Sequence, residues 1–205
     1  MSELGATSGV AVATIKFYLR EKLLQPGTRV SANQSDYTVR HVERLRLIRA
    51  ITEVGGLSVA SAAQVLAAID SDEGLQKTFA VAQRVVSAPI QPEDVDDDAL
   101  ARIDAVLEGW RVSPDNPGRL AAATVLTTFE GVGQFAARGW FERYAEAALL
   151  VAEADLDEVD ARADRTAKTE TVVVGTVLGD ALFSGLRRAA QEHVSAVRYS
   201  PGERA

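Results

Sequence analysis

The sequence predicts a mainly α-helical chain with one small β-hairpin near its amino terminus, on three observations. Apolar residues recur at helical spacing along most of the 205 positions. Turn-forming and strand-tolerant residues cluster once, from Gln25 to Tyr37. Proline marks further sharp breaks at Pro89 to Pro92 and at Ser113 to Gly118. The expected architecture is an N-terminal winged helix-turn-helix over residues 1–70, a helical connector over 71–112, and an all-helical domain over 113–205.

Leu4, Ala6 and Thr7 fit a short first helix, which Gly9 ends by supplying the positive φ of a tight turn. A second helix follows at once. Val12, Ile15 and Leu19 form its inward stripe, while Thr14, Lys16, Tyr18 and Arg20 are expected to project outward. Hydroxyl and cationic donors on one helical face match what a phosphate backbone accepts. Gln25-Pro26-Gly27-Thr28-Arg29 is turn material, and Val30 to Tyr37 is read as a hairpin wing. A third helix begins near Thr38 with Val42, Leu45, Ile48 and Ile51 inward, and Gly55-Gly56 stops it. Ser58 then caps a fourth helix that buries Val59, Ala62, Ala63, Leu66 and Ile69.

Composition narrows the partners. A net charge of −7 hides an asymmetry, because residues 1–52 carry eight Lys/Arg against four Asp/Glu while residues 71–205 carry fourteen against twenty-three. A basic head on an acidic body steers DNA to one end. With no cysteine and only His41 and His193, disulfides and thiolate metal sites are excluded and a zinc site is not expected. No Ser/His/Asp or Cys/His arrangement and no phosphate-cradling glycine loop supports an enzyme. No cofactor is expected. The apolar run Val172 to Leu186 is shorter than a membrane span and interrupted by Asp180, so a cytoplasmic protein without membrane contact is expected.

Several blocks in order carry a family resemblance over about the first 70 residues. Gly9-Val10, Thr14-Ile15-Lys16-Phe17-Tyr18, Lys22-Leu23-Leu24, His41-Val42-Glu43-Arg44-Leu45 and Glu53-Val54-Gly55-Gly56-Leu57-Ser58 stand where the MerR family of transcription regulators has Gly-Val, Thr-Ile-Arg-Tyr-Tyr, Gly-Leu-Leu, Asp-Val-Glu-Arg-Leu and Glu-Leu-Gly-Phe-Ser. The chain departs from the family in the wing, where Asn33-Gln34-Ser35-Asp36-Tyr37 keeps only the last tyrosine of Gly-Tyr-Arg-x-Tyr. Lys16 for arginine and Phe17 for tyrosine remove a bidentate fork and a hydroxyl. The family core also extends a few residues ahead of the position of Met1, so either the first turn is shortened or the chain starts late.

The resemblance implies a homodimer on near-palindromic, double-stranded promoter DNA, with RNA polymerase engaged indirectly through promoter geometry and an effector sensed by the C-terminal domain. Together with the outward-facing set it nominates Ala13, Thr14, Lys16, Phe17, Tyr18, Arg20, Arg29, Tyr37, Arg40 and Arg44 for DNA contact. Two other readings fit parts of the sequence. One is a TetR-like ligand-responsive repressor, whose recognition segment also has Gly-Val, Thr-Leu-Tyr and a lysine. That pattern needs a full helix before the motif and has no wing. The other is a protein-interaction module with a degenerate DNA-binding head.

Beyond the head, Leu75, Phe79, Ala82 and Val86 form a two-heptad stripe that Pro89 and Pro92 end. The acids Glu93 to Asp98 precede a helix bearing Leu100, Ile103, Leu107 and Trp110, and they lack the glycine and spacing of a calcium loop. Three further helices are expected, near Arg119–Glu130, Phe135–Ala163 with a break near Asp155, and Lys168–Tyr199. For a small-molecule effector the sequence nominates Phe129, Trp140, Tyr144 and Asp180, with Phe135, Phe141 and Phe183 nearby. Core packing is the plainer reading of each aromatic.

Overall fold

Side-chain and glycine caps mark several of the element boundaries in the computed structural model, which describes residues 1–31, 34–134 and 139–199. The elements are α1 (Ser2–Ser8), α2 (Val12–Arg20), β1 (Thr28–Ser31), β2 (Gln34–Asp36), α3 (Val39–Arg49), a π-turn (Ala50–Val54), α4 (Val59–Asp70), α5 (Leu75–Val86), a 3-10 turn (Pro92–Asp94), α6 (Asp97–Val106), α7 (Pro117–Gly131), α8 (Trp140–Asp160) and α9 (Arg165–Tyr199). The mainly α class with one hairpin is thus as expected. The chain divides into two compact units, residues 1–66 with 174–205, and residues 67–173. These units do not coincide with the partition drawn from turns.

In the first unit Gly9 ends α1 at φ 70°, with its N–H donating to Gly5 O. α1 packs on α3 and on α2. Ile15, Leu23, Leu24, Leu45, Ile48 and Ile51 are at most 2% exposed, so the core comes from the marked stripe of α3, from Ile15 and from the exit of α2, while Val12 and Leu19, also expected inward, are half-buried. Thr38 caps α3 through a reciprocal box in which His41 Nδ1 accepts from Thr38 N–H at 3.0 Å. At its far end α3 widens into the π-turn, where Gly55 N–H reaches Ala50 O at 3.0 Å. Leu57 N–H then bonds Ile51 O at 3.0 Å around Gly56, whose φ is +70°. Ser58 Oγ accepts from Ser61 N–H at 3.0 Å and caps α4 as expected. α4 buries Val65 and Ala68 besides Ala62, Leu66 and Ile69, whereas Val59 is 37% exposed.

In the second unit Asp96 caps α6 through Ala99 N–H at 2.8 Å, and Asn116 caps α7 through Arg119 N–H at 3.1 Å. Val95, Ala99 and Ile103 then pack on Leu120, Ala123 and Leu126, with Ile90, Leu100, Leu107 and Phe141 at the fringe. This shared core joins residues that the turn at Ser113–Gly118 seemed to separate. Arg119 bridges the two helices, its Nε and Nη2 donating to Asp104 Oδ1 and Oδ2 at 2.6 and 2.7 Å and its Nη1 to Pro114 O at 2.9 Å. The hydrogen-bonded guanidinium holds the Asp104 carboxyl below the usual carboxylate range.

Three expectations change here. Trp110 lies past the end of α6, because the helix stops at Val106. α8 runs without a break through Asp155, and Phe135 lies outside the described residues. α9 reaches 35 residues, so by length and composition it is long and apolar enough to cross a bilayer. Val172, Val173 and Val177 are at most 3% exposed, although only 22% of the apolar window is buried.

Candidate nucleic-acid interface

α2 owes its exposed face to what lies beneath it. Ile15 is fully buried and Tyr18, one turn on, is 8% exposed, so the tyrosine turns inward rather than outward as its place in the projecting set predicted. The spacing of three from Ile15 puts it on the same inner side. The backbone explains the rest, because Tyr18 O accepts from Leu23 N–H at 2.9 Å and Leu24 N–H at 3.3 Å, folding the apolar exit of α2 toward that residue. Thr14 and Phe17 are half-buried, leaving Ala13, Lys16 and Arg20 as the exposed row.

Arg20 is steadied rather than free. Its guanidinium carbon lies 5.2 Å over the Phe17 ring, and its Nε donates to Glu21 Oε1 at 3.1 Å. Ala11 offers no side-chain acceptor at the start of α2, so the first-turn N–H groups remain available to an anion. Lys22, which the sequence pattern did not nominate, follows directly. It holds φ +59°, alone among the described non-glycine residues, and is exposed. A lysine where the family pattern places glycine was the signal that could have found it.

The wing is short. β1 and β2 pair antiparallel with Thr28 opposite Asp36, Arg29 opposite Ser35 and Ser31 opposite Gln34, the register shifting between Arg29 and Ser31. Gly27 has no room for a side chain, since a Cβ there would run into Asp36 O and sit 3.0 Å from the Tyr37 ring. Tyr37 is half-buried and meets His41 edge-on at 5.2 Å. Arg29 is exposed, its Nε donating to Ser31 O at 3.3 Å, and Arg40 and Arg46 are exposed on α3.

Arg44 is placed differently from the other candidates. Its Nε donates to Leu23 O at 3.2 Å and its Nη2 to Leu66 O at 3.4 Å, so the guanidinium ties the exit of α2 to α4. Arg49 likewise serves the fold. It forms a two-bond pair with Glu53 at 2.9 Å each and reaches Gly9 O at 3.5 Å. That pairing raises the Arg49 pKa and lowers that of Glu53. The head therefore leaves Ala13, Lys16, Arg20, Lys22, Arg29 and Arg40 exposed, while Tyr18 is buried and Arg44 is part-buried in hydrogen bonds to Leu23 O and Leu66 O.

The effector candidates divide between the units. Phe129 meets Trp140 at 5.3 Å and Phe141 at 6.1 Å, and Trp140 meets Tyr144 at 6.2 Å. Phe129 and Phe141 are half-buried, whereas Trp140 is 37% and Tyr144 46% exposed, so the aromatic group is partly a surface. Asp180 and Phe183 belong to α9 in the other unit.

Comparison with known proteins places this geometry. The family description "MerR HTH family regulatory protein" matches residues 1–69. A crystal structure of a protein from Streptomyces coelicolor A3(2), assigned as a transcriptional regulator, is similar over 98% of both chains, at 32% identity and a TM-score of 0.75. No curated protein matches.

Proposed function

The chain belongs to the MerR family of helix-turn-helix regulators, and from this premise we propose that it binds a near-palindromic promoter element as a homodimer under effector control. It is a DNA-binding transcriptional regulator. The observation that carries the finer reading is the exposed Lys16 and Arg20 row on α2, docked by the left-handed Gly9 and followed by a wing. A two-fold symmetric protein presents two such rows, and a palindromic element presents two equivalent half-sites. Lys16, Arg20, Lys22, Arg29 and Arg40 supply the backbone contacts, and Ala13 lets the start of the helix approach the bases. Tyr18 and Arg44 support these contacts from within. Tyr37 backs the wing.

The effector reading rests on the exposed side of the Phe129, Trp140, Phe141 and Tyr144 group, an apolar surface with a phenol at its edge. A cytoplasmic location follows from action on promoter DNA. The test of the DNA reading is a titration of duplex DNA from the region upstream of the chain's own gene, followed by anisotropy at several salt concentrations. Lys16→Ala should weaken binding and flatten the salt slope by about one. Unchanged affinity and slope would overturn the assignment of α2.

A further inference from the structure

The two halves of α9 differ in their surroundings. Val172, Val173 and Val177 are buried, yet every residue from Leu186 to Tyr199 is exposed, with Leu186 at 59%, Val194 at 42% and Val197 at 73%. A bare helix of that length is marginal in water. Phe183, Leu186, Ala190, Val194 and Val197 recur at steps of three, four, four and three, a mean of about 3.5, which is the repeat of a helix-pair seam. The helix after the head is only 12 residues long, and it already buries Thr78 and Ala82 and half-buries Leu75, Phe79 and Val86 within its own unit.

Charge selects the occupant and its direction. Asp180 and Arg198 lie on one flank of the stripe, five whole turns apart, and neither makes an ion pair among the described residues. A second copy laid antiparallel about Ala190 sets Phe183 against Val197 and Leu186 against Val194. It also brings each Arg198 within about 3 Å, along the axis, of the level of the other Asp180. A parallel copy would place the two flanks on opposite sides of the seam, and these opposite charges would not meet. We infer that residues 183–197 of α9 pair antiparallel with the same segment of a second copy, forming the dimer contact. This rests on the homodimer reading above and names its surface.

The full-length chain serves for the test, by light scattering across a concentration series. Wild type should be dimeric. Leu186→Asp with Val194→Asp should weaken the dimer by about a hundredfold or more and leave the melting temperature of the monomer unchanged. Dimerisation as tight as wild type would overturn the inference while leaving the homodimer intact, whereas a monomeric wild type would overturn both. Because the chain has no cysteine, Ala190→Cys should give a disulfide-linked dimer on mild oxidation and Val197→Cys should not. Failure of the first, or equal efficiency of the second, overturns the antiparallel pairing. Arg198→Asp alone should weaken the dimer and Asp180→Arg in the same chain should restore it; an unrestored double variant also counts against the pairing.

Discussion

Replacing Gly55 by alanine sets two physical effects against each other. Gly55 sits at φ −73° and ψ −12°, ordinary right-handed geometry, so on backbone grounds alanine should stabilise by about 0.4–1 kcal/mol through the unfolded chain. Packing opposes this. The new Cβ would run into Val177 Cγ1 on α9 and stand 2.7 Å from Ile51 O. The carbonyl belongs to the π-turn and cannot retreat without breaking its bond to Leu57 N–H. Overpacking of this kind costs about 1–3 kcal/mol, so Gly55→Ala should be destabilising by about 1–2 kcal/mol net. Urea denaturation followed by circular dichroism reads the change. Val177→Ala removes one of the two obstacles, so the double variant should lose less than the sum of the single losses. A stabilised Gly55→Ala, or strict additivity with Val177→Ala, would refute the packing argument.

Two further outcomes rest on local geometry. Lys22→Gly should leave the fold unchanged or up to about 1 kcal/mol more stable, because the left-handed backbone costs a lysine about that much; in an exposed helix the same change loses about 0.5–1 kcal/mol. Thermal unfolding decides it, and a clear loss would mean that the left-handed turn carries no strain. Asp104→Asn should lower stability at neutral pH by less than about 1 kcal/mol, since the carboxylate is half exposed to solvent. The Asp104 carboxyl is held below its ordinary range, so its contribution is full above that range and is lost as pH falls through the depressed value. The gap between wild type and variant should therefore close on acidification below about pH 4; a gap that persists there would argue against the charge pair as its source.

The head was largely legible because its signals are local. Gly9, Thr38 and Ser58 act within three or four residues of themselves, and each stands at the helix boundary it marks. The helix expected near Lys168–Tyr199 likewise falls within α9. What escaped the sequence depends on partners far along the chain. Tyr18 is an exception, because its spacing of three from the buried Ile15 already pointed inward and its polar hydroxyl drew the reading outward. Arg44 resembles any cation on a helix until Leu23 O and Leu66 O are brought to it. The core shared by α6 and α7 was hidden by the turn between them, since Pro114 and Gly118 announce a change of direction and not a change of domain.

The π-turn at Ala50–Val54 has a consequence for chain length. A wide turn holds one residue more than an α-helix would over the same rise, and each residue rotates the downstream chain by about 100°. Deleting any one residue there would let α3 wind on as a regular helix, carry the bare Cα of Gly55 away from Val177 and bring a side chain to the spot. The head therefore depends on the number of residues between α3 and α4 as well as on the glycine at position 55, so a homologue shortened by one residue in this stretch would need a different seat for α9.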